Sequence, residues 1–210
     1  MSIDRACHIL HFHLMHSPTL KSDKTDPTEA IFAAALRAFA QYGYRRTAME
    51  DIANGADMSR AALYLRFRNK EDIFRSLARA YFSQAQAGMQ AALGAAKDTE
   101  TALLAAFAAK DGKLMELILT SPHGGELLDA GFSVSADIVA EGEAAMAATF
   151  AHWYTAQGLP PDLGNGEDMA ETTMAALKGL KTTAADFPSY QAGQARLARL
   201  IVRALSPAQP

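Results

Sequence analysis

Cysteine is nearly absent from this chain of 210 residues, in which Cys7 is the only one. A single thiol excludes an intramolecular disulfide framework and every motif that needs paired thiols. Apolar runs are short as well, and none reaches the roughly 18 uninterrupted residues of a membrane span. The apolar segment 5–15 is interrupted by histidines, and no small-residue cleavage pattern follows it. We therefore expect a cytoplasmic protein that has no membrane partner.

Strong charge of one sign is also lacking, because the formal net charge is only −3. This balance by itself argues against a strongly basic nucleic-acid-binding protein. The charges are unevenly distributed, however: between Ser59 and Arg79, six Lys or Arg residues stand against two acidic residues. Residues 81–210, by contrast, carry eight basic and fourteen acidic side chains. The segment 59–79 is therefore a local cationic patch.

Helix-start and helix-stop patterns recur along the whole chain. Asp26, Pro27 and Glu29 predict a first helix from Pro27 to about Tyr42, followed by Gly43. Breaks rich in glycine, proline and serine delimit later helices, predicted at about 70–93, 99–119, 135–157, 167–183 and 190–205. The sequence therefore predicts an all-α fold. Its expected parts are an N-terminal extension (1–25), a helix-turn-helix DNA-binding domain (26–75) and a larger helical domain (76–210).

Two short helices joined by a tight turn are predicted between residues 47 and 67. Thr47 and Glu50 match a capping box at the start of the first helix, and Ser59 can cap the second. Such a pair is as often an ordinary helical hairpin as a DNA-binding motif. The cationic patch favours DNA binding, because it places positive charge on and after the second helix, where duplex phosphates would lie.

The residues of the second short helix suit contact with base edges. Arg60 can pair with guanine, while Ala61 and Ala62 allow close approach and can meet a thymine methyl group. Lys70 lies near the next helix start, where its ammonium and the helix N-terminus can hold one phosphate. These residues predict a recognition helix in the major groove.

Residues 31–74 resemble the DNA-binding domain of the TetR (TetR/AcrR) family of bacterial regulators. The matching residues are Ala35, Leu36, Arg37, Ala38, Phe39, Ala40, Gly43, Tyr44, Thr47, Met49, Asp51, Ile52, Ala53, Ala56, Met58, Ser59, Leu63, Tyr64, Phe67, Asn69, Lys70, Glu71 and Asp72. The resemblance implies phosphate contacts from Thr47, Ser59, Tyr64 and Lys70, and base contacts from Arg60, Ala61 and Ala62. Arg66 would add a phosphate or base contact, and Leu63 and Phe67 would be core residues.

Two residues depart from the family pattern. Asp57 stands where the turn usually has glycine, although aspartate tolerates the left-handed region better than most residues. Gly55 lies inside the first short helix, where glycine costs about 1 kcal/mol relative to alanine. We expect these departures to weaken the motif slightly without abolishing it.

The resemblance also implies that residues from about 81 onward bind a small-molecule effector and mediate dimerisation. The pocket candidates are Phe107, Met115, His123, Phe132, Phe150, Trp153, Tyr154 and Met174. Alanines beside large side chains can leave a cavity, and methionine adapts to ligand shape. Each candidate alone is explained more simply as a core or surface residue, so the set carries the prediction. We expect an apolar or aromatic effector.

A homodimer on a palindromic operator is expected, because one short recognition helix reads too few bases. The candidate seam residues are Met169, Met174, Leu177, Leu180, Leu197, Leu200 and Ile201. Repression released by the effector is the leading mechanism, and activation stays open. The alternatives are a helical ligand carrier or enzyme that retains the motif without using it, and a structural dimerisation module that binds nucleic acid nonspecifically. No nucleophile–base pair, phosphate loop or metal triad favours catalysis, and no cofactor is expected.

Histidines at positions 8, 11, 13 and 16 lie close to Cys7, which invites a metal-binding interpretation. Their spacing matches no metal motif, and no second ligand cluster accompanies them. We expect no metal site there.

Overall fold

The computed structural model describes residues 26–205, and every regular element in this range is helical. The helices are α1 (Pro27–Tyr42), α2 (Met49–Gly55), α3 (Arg60–Tyr64), α4 (Lys70–Ala95), α5 (Thr99–Phe107), α6 (Lys113–Thr120), α7 (Gly124–Val134), α8 (Ala136–Gln157), α9 (Gly166–Thr183) and α10 (Phe187–Leu205). A π-helical turn, Ala108–Gly112, joins α5 to α6, and a 3-10 turn, Pro161–Leu163, precedes α9. The all-α prediction is confirmed.

Side-chain caps explain where several helices begin. The Asp26 carboxylate accepts a hydrogen bond of 2.8 Å from the Thr28 amide ahead of α1. Asp98 caps α5 in the same way through the Thr101 amide, and Asn165 caps α9. Each cap satisfies a backbone donor that the helix itself leaves without a partner.

The predicted capping box of α2 is wrong by one residue. Ala48 occupies the cap position, and its amide donates to the Asp51 carboxylate at 2.8 Å. The Thr47 hydroxyl instead turns inward and donates to the Gly43 carbonyl at 2.8 Å, which leaves Thr47 only 2% exposed. The physical reason is that the hydroxyl finds a buried acceptor one turn earlier, and the carboxylate at the third helical position then serves the amide of the cap residue.

The described chain packs as two compact units. The first unit contains the residues up to Ala80 together with Glu116–Val139, and the second contains Tyr81–Met115 and the residues from Ala140 onward. This grouping differs from the predicted boundary at residues 75 and 76, because α7 packs with the N-terminal helices. Leu127 and Ala130 of α7 belong to the same buried cluster as Ile31 and Phe39 of α1.

The second unit has its own aromatic core. Phe107, Phe150 and Tyr154 are fully buried there, with ring centroids 5.9 Å apart for the first pair and 6.2 Å apart for the second. The Tyr154 hydroxyl shares a 2.7 Å hydrogen bond with the hydroxyl of Thr173, which satisfies both buried polar groups. None of the helices in residues 26–205 combines the length and apolar character that a membrane span needs.

Candidate nucleic-acid interface

Helices α1 and α2 approach each other closely at Gly55. A Cβ atom at this position would lie 3.2 Å from the Cβ of Ala34, which is closer than side chains normally pack. The Gly55 carbonyl also accepts a 2.8 Å hydrogen bond from the Arg37 guanidinium. The cost of glycine in α2 is therefore offset by tight packing against α1.

The turn between α2 and α3 holds Asp57 in the left-handed region, with φ of 54°. Aspartate is one of the few residues that adopt this conformation routinely, as the sequence predicts. The Met58 amide returns to the Ala53 carbonyl at 2.9 Å and closes the turn. The substitution at the usual glycine position therefore leaves the geometry of the motif intact.

Helix α3 is anchored on one side and open on the other. The Ser59 hydroxyl accepts a hydrogen bond from the Ala62 amide at 3.1 Å, which confirms Ser59 as the cap. Leu63 is completely buried and Phe67 is 9% exposed, which confirms both as core residues. A short helix of this kind cannot be stable alone, so these two anchors fix its orientation.

The open side of α3 carries most of the residues predicted to contact DNA. Ser59, Arg60, Ala61, Tyr64 and Arg66 are exposed, and Ala62 is half-buried. The Arg60 guanidinium lies 5.5 Å from the centre of the Tyr64 ring and 4.0 Å from the Glu50 carboxylate. These exposed contacts are weak, so they orient Arg60 without preventing it from binding another partner.

Thr47 lies in the loop before α2, and Lys70 is the first residue of α4, so neither belongs to α3. The Lys70 ammonium donates to the carbonyls of Tyr44, Arg45 and Thr47, at 2.9, 2.7 and 3.0 Å. An ammonium has three hydrogens, so all of them have partners in the loop before α2. Lys70 therefore fixes this loop, and a phosphate contact through its side chain requires one of these bonds to break.

The same loop is held from the other side by α7. Glu126 accepts a 2.6 Å hydrogen bond from the Arg45 amide. Gly43 has φ of 83° and ψ of 154°, a conformation that is essentially restricted to glycine. A Cβ atom at Gly43 would lie 2.2 Å from a carboxylate oxygen of Glu126. Glu126 and Lys70 together fix the path of the chain into α2.

Sequence reasoning missed three exposed residues beside this surface. Arg45 and Arg46 are exposed in the loop before α2, and the side chain of Leu65 is 89% exposed directly after α3. The paired arginines were visible in the sequence, but they lie outside the segment with the highest density of positive charge. Nothing in the pattern distinguishes Leu65 from its buried neighbour Leu63.

The structure brings together only part of the predicted effector pocket. Phe107, Phe150, Trp153, Tyr154 and Met174 belong to the core of the second unit. Met115 is buried at the end of that unit's first segment.

The other two pocket candidates lie in the first unit. His123 is located at the start of α7, where its Nδ1 lies 3.8 Å from a carboxylate oxygen of Glu126. Phe132 belongs to α7. The predicted pocket is therefore divided between the two units.

A group of buried polar residues in the second unit was also missed. Lys110 and Asp111 are 3% and 4% exposed, and the Lys181 ammonium lies 2.7 Å from the Asp111 carboxylate. Burial opposes ionisation of Asp111, but the ammonium groups of Lys181 and Lys110 outweigh it and hold the pKa of that carboxyl below its usual value. Burial lowers the pKa of Lys110. Sequence periodicity could not find this pair, because two adjacent charged residues normally indicate a solvated helix face.

No group of three or more potential metal ligands comes together within residues 26–205. The N-terminal histidines and Cys7 lie outside the described residues.

Comparisons with known proteins show what the N-terminal domain and the fold of this chain are similar to. The family model for bacterial regulatory proteins of the tetR family matches residues 31–77. The HTH-type transcriptional repressor BepR of Brucella suis biovar 1 (strain 1330) is 37% identical over 73 residues, which is 34% of this chain and 35% of BepR. The sequence match to this relative therefore spans about a third of its length.

Solved structures extend the likeness in fold to most of the chain. The reduced form of NemR from E. coli has a TM-score of 0.65 at 15% identity, over 88% of this chain and 100% of NemR. The TetR-family transcriptional regulator PfmR from Thermus thermophilus has a TM-score of 0.58 at 21% identity, over 84% of this chain and 98% of PfmR. Residues 31–77 therefore match the N-terminal domain of the tetR family of bacterial regulatory proteins, and the chain as a whole shares its fold with these solved regulators.

Proposed function

We propose that this protein is a ligand-responsive repressor that binds a palindromic operator as a dimer through α3. The observation that carries the proposal is the division of α3 into a buried anchor and an exposed polar face. Leu63 and Phe67 hold the helix, while Ser59, Arg60 and Tyr64 project away from the core. This arrangement suits a recognition helix that must present a fixed set of side chains to a major groove.

Each exposed residue of α3 has a distinct expected role. Arg60 pairs with O6 and N7 of guanine, and Ala61 and Ala62 lie against base edges or a thymine methyl group. Tyr64 and Arg66 contact phosphates. Their positions at and after the end of α3 place them beside the duplex backbone when the start of the helix enters the groove.

The remaining contacts fix the position of the recognition helix. The Ser59 hydroxyl accepts a hydrogen bond from the Ala62 amide and keeps its own hydrogen for a phosphate oxygen. Thr47 and Lys70 act through the loop before α2, and the positive end of the helix dipole at the start of α4 favours a phosphate nearby. Arg45 and Arg46 add positive charge nearby, and Leu65 provides an apolar contact.

Binding specificity is tested by selecting bound duplexes from a random DNA pool, followed by competition binding at several salt concentrations. We expect a palindromic sequence preference together with a steep decrease in affinity as salt rises. Salt-sensitive binding without sequence preference would instead support a nonspecific nucleic-acid module. A complete absence of binding would support a carrier or enzyme that retains the motif without using it.

Dimerisation is proposed to use the exposed side of α10. Leu200 is 62% exposed there, between Arg196, Arg199 and Arg203. Several residues predicted for the seam instead face their own core, because Met169, Leu177 and Ile201 are less than 9% exposed. An apolar side chain surrounded by arginines is typical of the composition of protein interfaces.

Light scattering at micromolar concentration tests the seam. We expect a dimer for the native protein and a monomer for Leu200→Lys, since the new ammonium would be buried beside three arginines and without an anionic partner. Ala91→Lys, at an exposed position of α4, introduces the same charge elsewhere and should leave the dimer intact. A native monomer, or a Leu200→Lys dimer of unchanged affinity, would contradict the proposal.

The effector response is proposed to reside in the second unit, whose aromatic core contains five of the eight predicted pocket residues. An apolar or aromatic ligand that binds there favours the conformation with lower operator affinity. Repression rather than activation is supported by the relative BepR, which is named a transcriptional repressor. A panel of lipophilic compounds should include members that raise the melting temperature and release the operator. Failure of every compound in both assays would contradict the proposal.

A further inference from the structure

The π-helical turn, Ala108–Gly112, places two consecutive charged residues in the interior of the second unit. In an α-helix, successive side chains diverge by about 100° around the axis, so neighbours seldom enter the same buried space. The wider π turn reduces this divergence, and the Lys110 ammonium lies 3.0 Å from the Asp111 carboxylate. Single π turns within helices are frequent at functional sites.

Side chains from three other helices complete a set that we call the Lys110 cluster, namely Tyr81, Lys110, Asp111, Lys181 and Tyr190. Lys181 of α9 lies 2.7 Å from one oxygen of Asp111, and the Tyr190 hydroxyl of α10 donates to the other at 3.4 Å. The Tyr81 hydroxyl of α4 donates to the backbone carbonyl of Lys110. The cluster therefore joins four separate segments of the second unit.

The Lys110 cluster is rich in donors and poor in acceptors. Two ammonium groups, each with three hydrogens, converge with a phenol on the single carboxylate of Asp111. Buried ion pairs contribute little net stability, because desolvation offsets most of the attraction. A group that supplied further acceptor oxygens, above all a carboxylate, would satisfy the remaining hydrogens.

An apolar groove of about 850 Å³ lies between α8 and α9 and includes a residue that acts on the cluster. Glu143, half-buried on α8, lines this groove, and its charge partly opposes the lowering of the pKa of Lys110 by burial. The groove has a surface of small apolar side chains, which are Ala144, Ala147, Ala148, Ala151, Ala170 and Met174. Lys178 also lines it, about one helical turn before Lys181 on α9.

The carboxylates at the other end of the groove are too distant to repel an anion bound at the cluster. Glu171 precedes Lys181 by about 15 Å along α9, and Glu167 is farther still. Both side chains are exposed, and salt screens charges over about 8 Å. Glu143 is closer, but it is half-buried and forms no ion pair with Lys110 within the described chain.

We propose that the effector is an amphipathic carboxylic acid whose carboxylate binds Lys110 and Lys181 and whose apolar tail lies in the groove between α8 and α9. This inference rests on the proposed effector response of the second unit, and it places the ligand's tail in a groove that shares only Met174 with the predicted pocket residues. The incoming carboxylate accepts from the two ammonium groups beside Asp111. Lys181 is 21% exposed at its side chain, so the ligand reaches the cluster from that side.

Decanoate and its neutral analogue decanamide test this inference on the full-length protein. We expect decanoate to raise the melting temperature of the native protein and decanamide to leave it unchanged. Lys181→Met should weaken the apparent affinity for decanoate about tenfold, because a charge-assisted hydrogen bond is lost. Lys181→Arg keeps the charge and should retain most of the affinity. Lys97→Met, at an exposed position between α4 and α5, removes the same charge and should change nothing.

The outcomes distinguish failure of this inference from failure of the proposed function. Equal stabilisation by both compounds, no stabilisation by decanoate, or an unchanged affinity in Lys181→Met would overturn it, whether or not another compound releases the operator. If Lys181→Met is unfolded without ligand, the comparison of decanoate with decanamide on the native protein still decides. Stabilisation by decanoate that depends on Lys181, without release of the operator, would support the site and contradict the proposed effector response.

Discussion

Replacing Gly43 by alanine should destabilise the first unit by more than the roughly 1 kcal/mol that separates glycine from alanine in helix propensity. The backbone at Gly43 has φ of 83° and ψ of 154°, and an alanine held in such a conformation costs about 1–3 kcal/mol. The new Cβ would also lie 2.2 Å from a carboxylate oxygen of Glu126. Glu126 must then move and lose its hydrogen bond to the Arg45 amide, which costs about 1.5–3 kcal/mol. We expect a total loss of about 2.5–6 kcal/mol.

Thermal unfolding of the full-length protein measures this loss. For a protein of this size, a loss of that magnitude lowers the melting temperature by roughly 5–24 °C. Gly94→Ala is the matched control, because nothing lies within 4 Å of a Cβ atom at Gly94. Its backbone is helical, so alanine there should leave stability unchanged or raise it by up to about 1 kcal/mol.

The variant Glu126→Ala separates the two causes of the loss, which are the backbone strain at residue 43 and the clash with Glu126. In Glu126→Ala the carboxylate is absent, so Gly43→Ala should cost only the backbone strain of about 1–3 kcal/mol. An equal cost in both backgrounds would refute the role of Glu126. A loss below about 1 kcal/mol in the native background would refute the whole explanation of Gly43.

Two further predictions concern other contacts. Tyr154→Phe should lower the free energy of unfolding by about 1–3 kcal/mol, because it leaves the buried Thr173 hydroxyl without its partner. The double variant Tyr154→Phe/Thr173→Val should lose less. Chemical unfolding of both variants checks this prediction, and equal losses would contradict it. The hydrogen bond from Arg75 lowers the pKa of Asp137 from 3.8 to about 2, so the stabilisation by this carboxylate is complete above pH 4 and lost as pH falls through 2. The stability difference between the native protein and Asp137→Asn should shrink over that interval, and a constant difference would contradict the assignment.

The sequence predicts most of the first unit because its local patterns agree with its packing. The cap at Asp26, the turn at Asp57 and the cap at Ser59 each depend on residues within four positions, and each is found in the structure. The resemblance to the TetR family implies that Leu63 and Phe67 are core residues, and both are buried. A single sequence predicts such features well, because the short-range pattern and the tertiary packing favour the same local structure.

The parts that the sequence did not predict depend on contacts between distant segments. Lys70 is engaged by three carbonyls more than twenty positions away. The π turn at 108–112 follows no local pattern, since one continuous helix fits the same residues. His123 separates from the aromatic pocket candidates because α7 packs with the N-terminal helices.

Base recognition by Arg60 is the most direct test of operator binding through α3. The measurement compares full-length native protein, Arg60→Ala and the control Lys97→Ala at one salt concentration. It records the affinity of each for the selected duplex and for duplexes changed at each single position. We expect Arg60→Ala to lose about 1–3 kcal/mol on the operator and to bind all four base pairs equally at one guanine position. Unchanged affinity and unchanged base preference in Arg60→Ala, or an equal loss in Lys97→Ala, would contradict recognition of DNA by this helix.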